Sequence, residues 1–122
     1  MDTNFLLLPY QFKIDVFSEL EHVIGEPFIP VISSRILSEL RGISKKVGKA
    51  GAAARFALKL IDYRKDKIKI VDSKEPVDDW VFIYSNEHRA IACTNDAQLK
   101  RRLKAEKMNV IGLRTRAKLG YV

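Results

Sequence analysis

Soft metal ligands are almost missing from this sequence, which has one cysteine, Cys93, and two histidines, His22 and His88. A lone thiol forms no internal disulfide and excludes a cysteine-rich zinc cluster. A reducing, cytoplasmic compartment follows as the expectation. Neither histidine has a partner at ligand or triad spacing, so both are expected at the surface. A glycine-rich phosphate loop is also lacking. No apolar run approaches the roughly 20 residues that span a bilayer. Phe5–Leu8 is apolar but short, and no basic segment precedes it, so neither a signal peptide nor an anchor is expected.

Acid is in deficit. The chain carries 22 Lys and Arg against 15 Asp and Glu, a net charge of +7. That balance favours nucleic acid or another anionic surface as partner. With 122 residues, 47% of them hydrophobic and 30% charged, the composition fits one globular domain over residues 1–122.

Helical periodicity is clear over Phe12–Ile24, where Phe12, Val16, Leu20 and Val23 recur on one face and Gly25 stops the run. Pro27–Ile32 is expected to form a short buried strand interrupted by Pro30. Ser33 or Ser34 caps a second helix with a stripe of Ile36, Leu37, Leu40, Ile43 and Val47. A third helix runs from Ala52 to Tyr63. Lys67–Val71 alternates as an edge strand. Asp78 and Asp79 open a short helix through Tyr84, and Ala90–Cys93 is a compact strand. Asn95 or Asp96 caps a helix over 97–105, and Asn109–Leu113 is the last strand, followed by a basic tail. Short apolar strands alternating with helices predict an α/β fold with a parallel sheet covered on both faces.

Four acids stand apart from the general surface charge. In an open parallel sheet, ligands bind beyond the carboxyl ends of the strands, where strand-to-helix turns converge. Asp96 fits such a turn, Asp78 opens a helix, and Asp2 fits if a strand precedes it. Glu39 lies inside a helix at the border of the apolar stripe, where a carboxylate loses water unless something compensates. Each has an ordinary alternative. Asp78 and Asp96 make good helix caps, Glu39 can pair with Arg35, and Asp2 can be a plain terminal residue. Clustered carboxylates suit hard divalent cations, and two such ions can activate water and stabilise the leaving oxygen of a phosphodiester.

The segments Asp2-Thr3-Asn4, Ser38-Glu39-Leu40, Val77-Asp78-Asp79 and Thr94-Asn95-Asp96, in that order, resemble those of the PIN-domain nuclease superfamily over nearly the whole chain. The resemblance implies a three-layer α/β/α PIN-like fold with a central parallel sheet. It implies a Mg²⁺ or Mn²⁺ site held by Asp2, Glu39, Asp78 and Asp96, and endoribonuclease activity. Asn4 and Thr94 would hold the acids by hydrogen bonds, with Asp79 as a substitute or neighbour for Asp78. The run Thr94–Leu103 looks most like the PIN nucleases that process small-subunit ribosomal RNA and their archaeal relatives. VapC-type toxins share the core, and a non-catalytic RNA-binding or assembly protein with the fold is a third reading. The implied partners are RNA, a second copy in a homodimer, and an antitoxin or a ribosome-assembly factor, with no membrane. Such proteins normally carry a full strand before the first Asp, whereas only Met1 precedes Asp2 here. The first strand is therefore expected to be truncated, with the sheet's centre weakened and Asp2 poorly held. For RNA, Arg114 and Arg116 after the last strand are the expected contacts. On the helix after Asp96, Arg101 and Lys104 share a face and Arg102 points elsewhere.

Overall fold

The apolar run after Asp2 winds into a helix. In a computed structural model, which describes residues 1–116 and 118–122, α1 spans Thr3–Phe12 and buries Phe5, Leu6, Leu7, Leu8 and Pro9. The helix expected from Phe12 is correspondingly shorter. Lys13 adopts a left-handed conformation at φ 54°, and the Asp15 side chain starts α2 (Val16–Ile24) by accepting from the Ser18 N–H at 3.2 Å. Gly25, at φ 71°, ends α2 as the sequence indicates.

The remaining elements follow as β1 (Val31–Ser33), α3 (Ser34–Ser44), α4 (Lys49–Tyr63), β2 (Lys69–Val71), α5 (Val77–His88), β3 (Ala92–Cys93), α6 (Ala97–Ala105), β4 (Val110–Thr115) and β5 (Lys118–Tyr121), with a 3₁₀ turn at Lys65–Lys67. One expectation needs correction. The strand sought over Pro27–Ile32 begins only at Val31, and Ile29 is 69% exposed. Pro30, with no N–H, delays the pairing. The basic tail contains a further strand, β5, which pairs antiparallel with β4, Ile111 opposite Tyr121 and Gly112 opposite Gly120.

The sheet is parallel near the site and split in two. β1 pairs with β2, Ile32 opposite Ile70, and β3 pairs with β4, Cys93 opposite Ile111, both parallel. Met1 and Asp2 lie between the two halves. The Met1 amino group donates to the Val31 carbonyl at 3.4 Å, and the Asp2 N–H donates to the Cys93 carbonyl at 3.1 Å. Successive residues thus reach opposite neighbours, as those of a central strand do.

The helices form two packed groups, α1 with α3 and α4, and α5 with α6, the second pair resting on β3 and β4. This is the α/β/α arrangement. Phe5, Leu20, Ile32, Ile36, Leu40, Leu99, Leu103 and Ile111 are wholly buried in the core between them. Each side chain of this size contributes about 1.5–3 kcal/mol on burial. Parallel strands and short turns bring their carboxyl ends, and the starts of α1, α3 and α6, to one edge.

Candidate metal centre

Asp2 ends the short bridge between the two half-sheets and begins α1. Its side chain is the N-cap, accepting from the Phe5 N–H at 2.8 Å, and its other oxygen accepts from the Thr94 hydroxyl. Asp2 is only 3% exposed. It is therefore firmly held, contrary to the expectation drawn from the short first strand, because backbone and hydroxyl donors supply what a longer strand would.

Thr94 connects two acids. Its hydroxyl donates to Asp2 and accepts from the Asp96 N–H at 3.0 Å. Asp96 caps α6, accepting from the Leu99 N–H at 2.8 Å, so the ordinary role foreseen for it is real. Asn95 accepts from the Leu113 N–H at 2.7 Å and ties this turn to β4. Gly112 makes that approach possible, since a Cβ there would stand 2.6 Å from the Thr94 carbonyl oxygen and 2.8 Å from Asn95 Oδ1. Gly112→Ala is expected to destabilise the fold by about 1–3 kcal/mol through this overlap, read as a lower denaturant midpoint with an unchanged slope. A midpoint equal to wild type would mean that the turn yields freely.

Asp78 reaches the same place from the loop after β2. Ser34 Oγ bonds Asp72 at 2.9 Å and accepts from the Ser73 N–H at 3.1 Å, while Arg35 donates to the Lys74 carbonyl at 2.7 Å. The loop is thereby pinned to α3, and Arg35 is not the partner of Glu39. Asp78 lies in the first turn of α5 but caps nothing, because Pro76 holds the cap position without a side-chain bond. Glu39 is exposed rather than half-buried. It accepts from the Thr3 hydroxyl at 2.9 Å, whereas the resemblance implies Asn4 and Thr94 as the residues that hold the acids. Asn4 is exposed and lines the pocket. Asp79 turns away to Arg102, at 3.1 Å. Arg102 therefore stands beside Asp79, off the face that Arg101 and Lys104 share.

Asp2, Thr3, Asn4, Glu39, Ile43, Pro76, Val77 and Asp78 line one open cavity of about 320 Å³. Asp96 stands within electrostatic reach of it. Burial raises the Asp78 carboxyl above its usual value of 3.8, and the charges of Asp96, Asp79 and Glu39 raise it further, with Arg102 opposing. Asp2 is raised as well, by burial first, against the Thr94 and Phe5 bonds and the terminal ammonium. Cys93, fully buried behind them, is pushed up to about 11 by that burial and is no nucleophile at neutral pH.

Asp2 thus holds a proton more readily in the folded than in the unfolded chain. Its contribution to stability is present below 3.8 and is lost as pH rises through the folded-state value. Asp2→Asn retains the cap on α1 and removes the buried charge. Its melting temperature at neutral pH is expected to exceed that of wild type, with the two converging near pH 3.8. Thermal melts across pH decide it, and a gap that persists in acid would show that the gain is not electrostatic.

The donor set is all oxygen, which suits a hard divalent cation. Among the described residues, no three of Asp, Glu, His and Cys stand close enough together to enclose an ion.

Comparison with known proteins agrees with the fold. Residues 1–116 match the PIN like domain family. The chain is 31% identical over 105 residues to Ribonuclease VapC9 of Archaeoglobus fulgidus, covering 85% of this chain and 73% of that protein. It is 33% identical to Ribonuclease VapC4 of Methanocaldococcus jannaschii, over 93% of this chain and 87% of that one. The rRNA-processing protein fcf1 of Schizosaccharomyces pombe is 30% identical over 85% of this chain and 52% of its own length. The solved PIN domain endonuclease Utp24 superposes with a TM-score of 0.78 at 26% identity, covering 98% of this chain and 86% of that one. The chain belongs to the PIN-like domain family and is related to its ribonucleases.

Proposed function

We propose that residues 1–122 form a single PIN-like domain that is a metal-dependent endoribonuclease, with Asp2, Glu39, Asp78 and Asp96 as its metal-site carboxylates. The observation that carries this reading is that Asp2, Glu39 and Asp78 line one open cavity. Burial raises the Asp78 carboxyl, the charges of Asp96, Asp79 and Glu39 raise it further against Arg102, and like charges so placed favour a cation.

Asp2 is fixed by the Phe5 N–H and Thr94, Asp96 by the Leu99 N–H, and Glu39 by Thr3. When bound, Mg²⁺ or Mn²⁺ supplies Lewis acidity for the attacking water and the leaving oxygen. Asp79 and Thr94 act as supports, Asp79 by holding Arg102 and Thr94 by joining Asp2 to Asp96. Arg114, in β4, and Arg116, just after it, are the proposed RNA contacts, supported by their charge and by the Asn95–Leu113 bond that ties β4 to the turn before Asp96.

The biological role favoured is ribosomal RNA maturation, supported by the likeness to fcf1 and Utp24. A toxin ribonuclease held by an antitoxin is the second reading, supported by the two VapC ribonucleases, which this chain matches over more of their length than it does fcf1. A neighbouring small gene whose product co-purifies and inhibits would select the toxin. For the activity itself, an end-labelled single-stranded RNA should give discrete internal cuts with Mn²⁺ and none with EDTA. Stepwise trimming from one end, or the same products in EDTA, would contradict the proposal.

A further inference from the structure

The longest stretch of the chain without an acid lies directly after Glu39. Up to Asp62 it carries Arg41, Lys45, Lys46, Lys49, Arg55 and Lys59 and no Asp or Glu. All six cations are exposed. The ion pairs among the described residues involve only Arg64 and Arg102, so this charge is not spent within the fold. Arg55 instead braces the turn between α3 and α4, donating to the carbonyls of Ser44 at 2.8 Å and Lys46 at 3.3 Å. No acid offsets the first turn of α4.

This surface continues from the acidic pocket. Ile43 lines the pocket one turn after Glu39, and Lys45 lies six residues beyond Glu39, about 9 Å of helical rise. On α1, Asn4 lines the pocket and Gln11 lines a second cavity of about 800 Å³. These two lie on one stripe of the helix, about 10 Å apart along its axis. The second cavity is open, bordered by Lys13 and Lys49, and contains a pair of exposed rings. Tyr10 is 43% and Phe56 44% exposed, with ring centroids 6.2 Å apart. Its one acid, Asp15, is turned to Arg64 at 3.7 Å.

Unpaired cations beside exposed aromatic rings are what a single-stranded nucleic acid needs, charge for its phosphates and a face for a base. We infer that single-stranded RNA leaving the acidic pocket runs along α1 and the α3–α4 turn, with its backbone on Lys45, Lys46 and Lys49 and a base stacked at Tyr10 and Phe56. This deepens the ribonuclease reading and rests on it, by naming the surface that grips the substrate.

The test measures binding without cleavage, by fluorescence anisotropy of a labelled single-stranded RNA in EDTA across a salt series. Lys45→Ala/Lys46→Ala/Lys49→Ala should weaken binding about tenfold or more and flatten the log–log salt slope by about 2, or 0.7 for each lost contact. Phe56→Ala should weaken binding about tenfold with no change of slope, since a ring carries no charge, and Phe56→Tyr should restore it. Lys67→Ala, at a different cavity, controls for the loss of a single charge and should alter neither. Unchanged affinity in the lysine and Phe56 variants would overturn the inference, as would a wild-type chain that binds no RNA. The same follows if the slope falls only when Arg114 and Arg116 are replaced. If Phe56→Ala leaves RNA binding intact, the ring pocket belongs to a protein partner and the base-stacking assignment fails. Cleavage in Mn²⁺ is scored separately. A wild type that binds but never cuts refutes the nuclease reading, whereas a wild type that cuts while every variant binds normally refutes only this path.

Discussion

Asp96→Asn is expected to abolish RNA cleavage while the protein stays folded. Asparagine caps a helix about as well as aspartate, so the Leu99 N–H keeps its acceptor and stability should fall by no more than about 1 kcal/mol. The backbone N–H of residue 96 keeps its bond to Thr94. What disappears is a negative charge that acts directly on Asp78. If that charge helps to hold the ion, the rate should drop by at least about 100-fold, more than is typical when a partner behind a metal ligand is lost. Asp79→Asn is the matched comparison. Its carboxylate faces Arg102, so its effect should be much smaller. Initial rates on one RNA, with circular dichroism for the fold, separate the cases. An Asp96→Asn protein that cuts at the wild-type rate would leave Asp96 as a cap and nothing more.

Manganese is expected to raise the melting temperature by about 10 °C at a hundred times its dissociation constant. Preferential binding to the folded state contributes about 2.7 kcal/mol at that ratio, and a domain of this size converts each kcal/mol to several degrees. The pH dependence should also reverse. Without metal, Asp2 and Asp78 bind protons more readily folded than unfolded, so stability declines as pH rises above 3.8 through their raised values. With metal, the same carboxylates must be ionised to bind, so stability increases with pH over that window. Melting curves from mild acid to neutrality, with and without Mn²⁺, show the two slopes. Parallel curves would mean that the acids do not share an ion.

Much of this was legible in the sequence, and what was missed has physical reasons. The helix over 97–105 is marked by Asn95 or Asp96 as its cap, and it appears with those limits, capped by Asp96 and burying Leu99 and Leu103. The α1 helix was not marked. Phe5, Leu6, Leu7 and Leu8 are buried on every side, so the run has no period to read. Its end at Lys13 is a left-handed lysine, where sequence patterns look for glycine. β5 escaped because its inward residues are only Leu119 and Gly120, the glycine covered by the stem of Arg114. At the site, Asp2, Glu39 and Asp78 do line one pocket, but the environment of Glu39 was misread. A place beside an apolar stripe gave no sign that its face opens to solvent. Thr3 was missed as its donor because the hydrogen bond joins residues 36 positions apart, which no local pattern reports.

Crystals grown with Mn²⁺ and measured near the manganese absorption edge test most directly whether Asp2, Glu39, Asp78 and Asp96 hold a divalent ion. An anomalous peak is expected in the pocket beside Asp2 and Asp78, absent from crystals of Asp2→Asn grown in the same solution. A pocket without a peak, or a peak that persists unchanged in Asp2→Asn, would contradict that assignment.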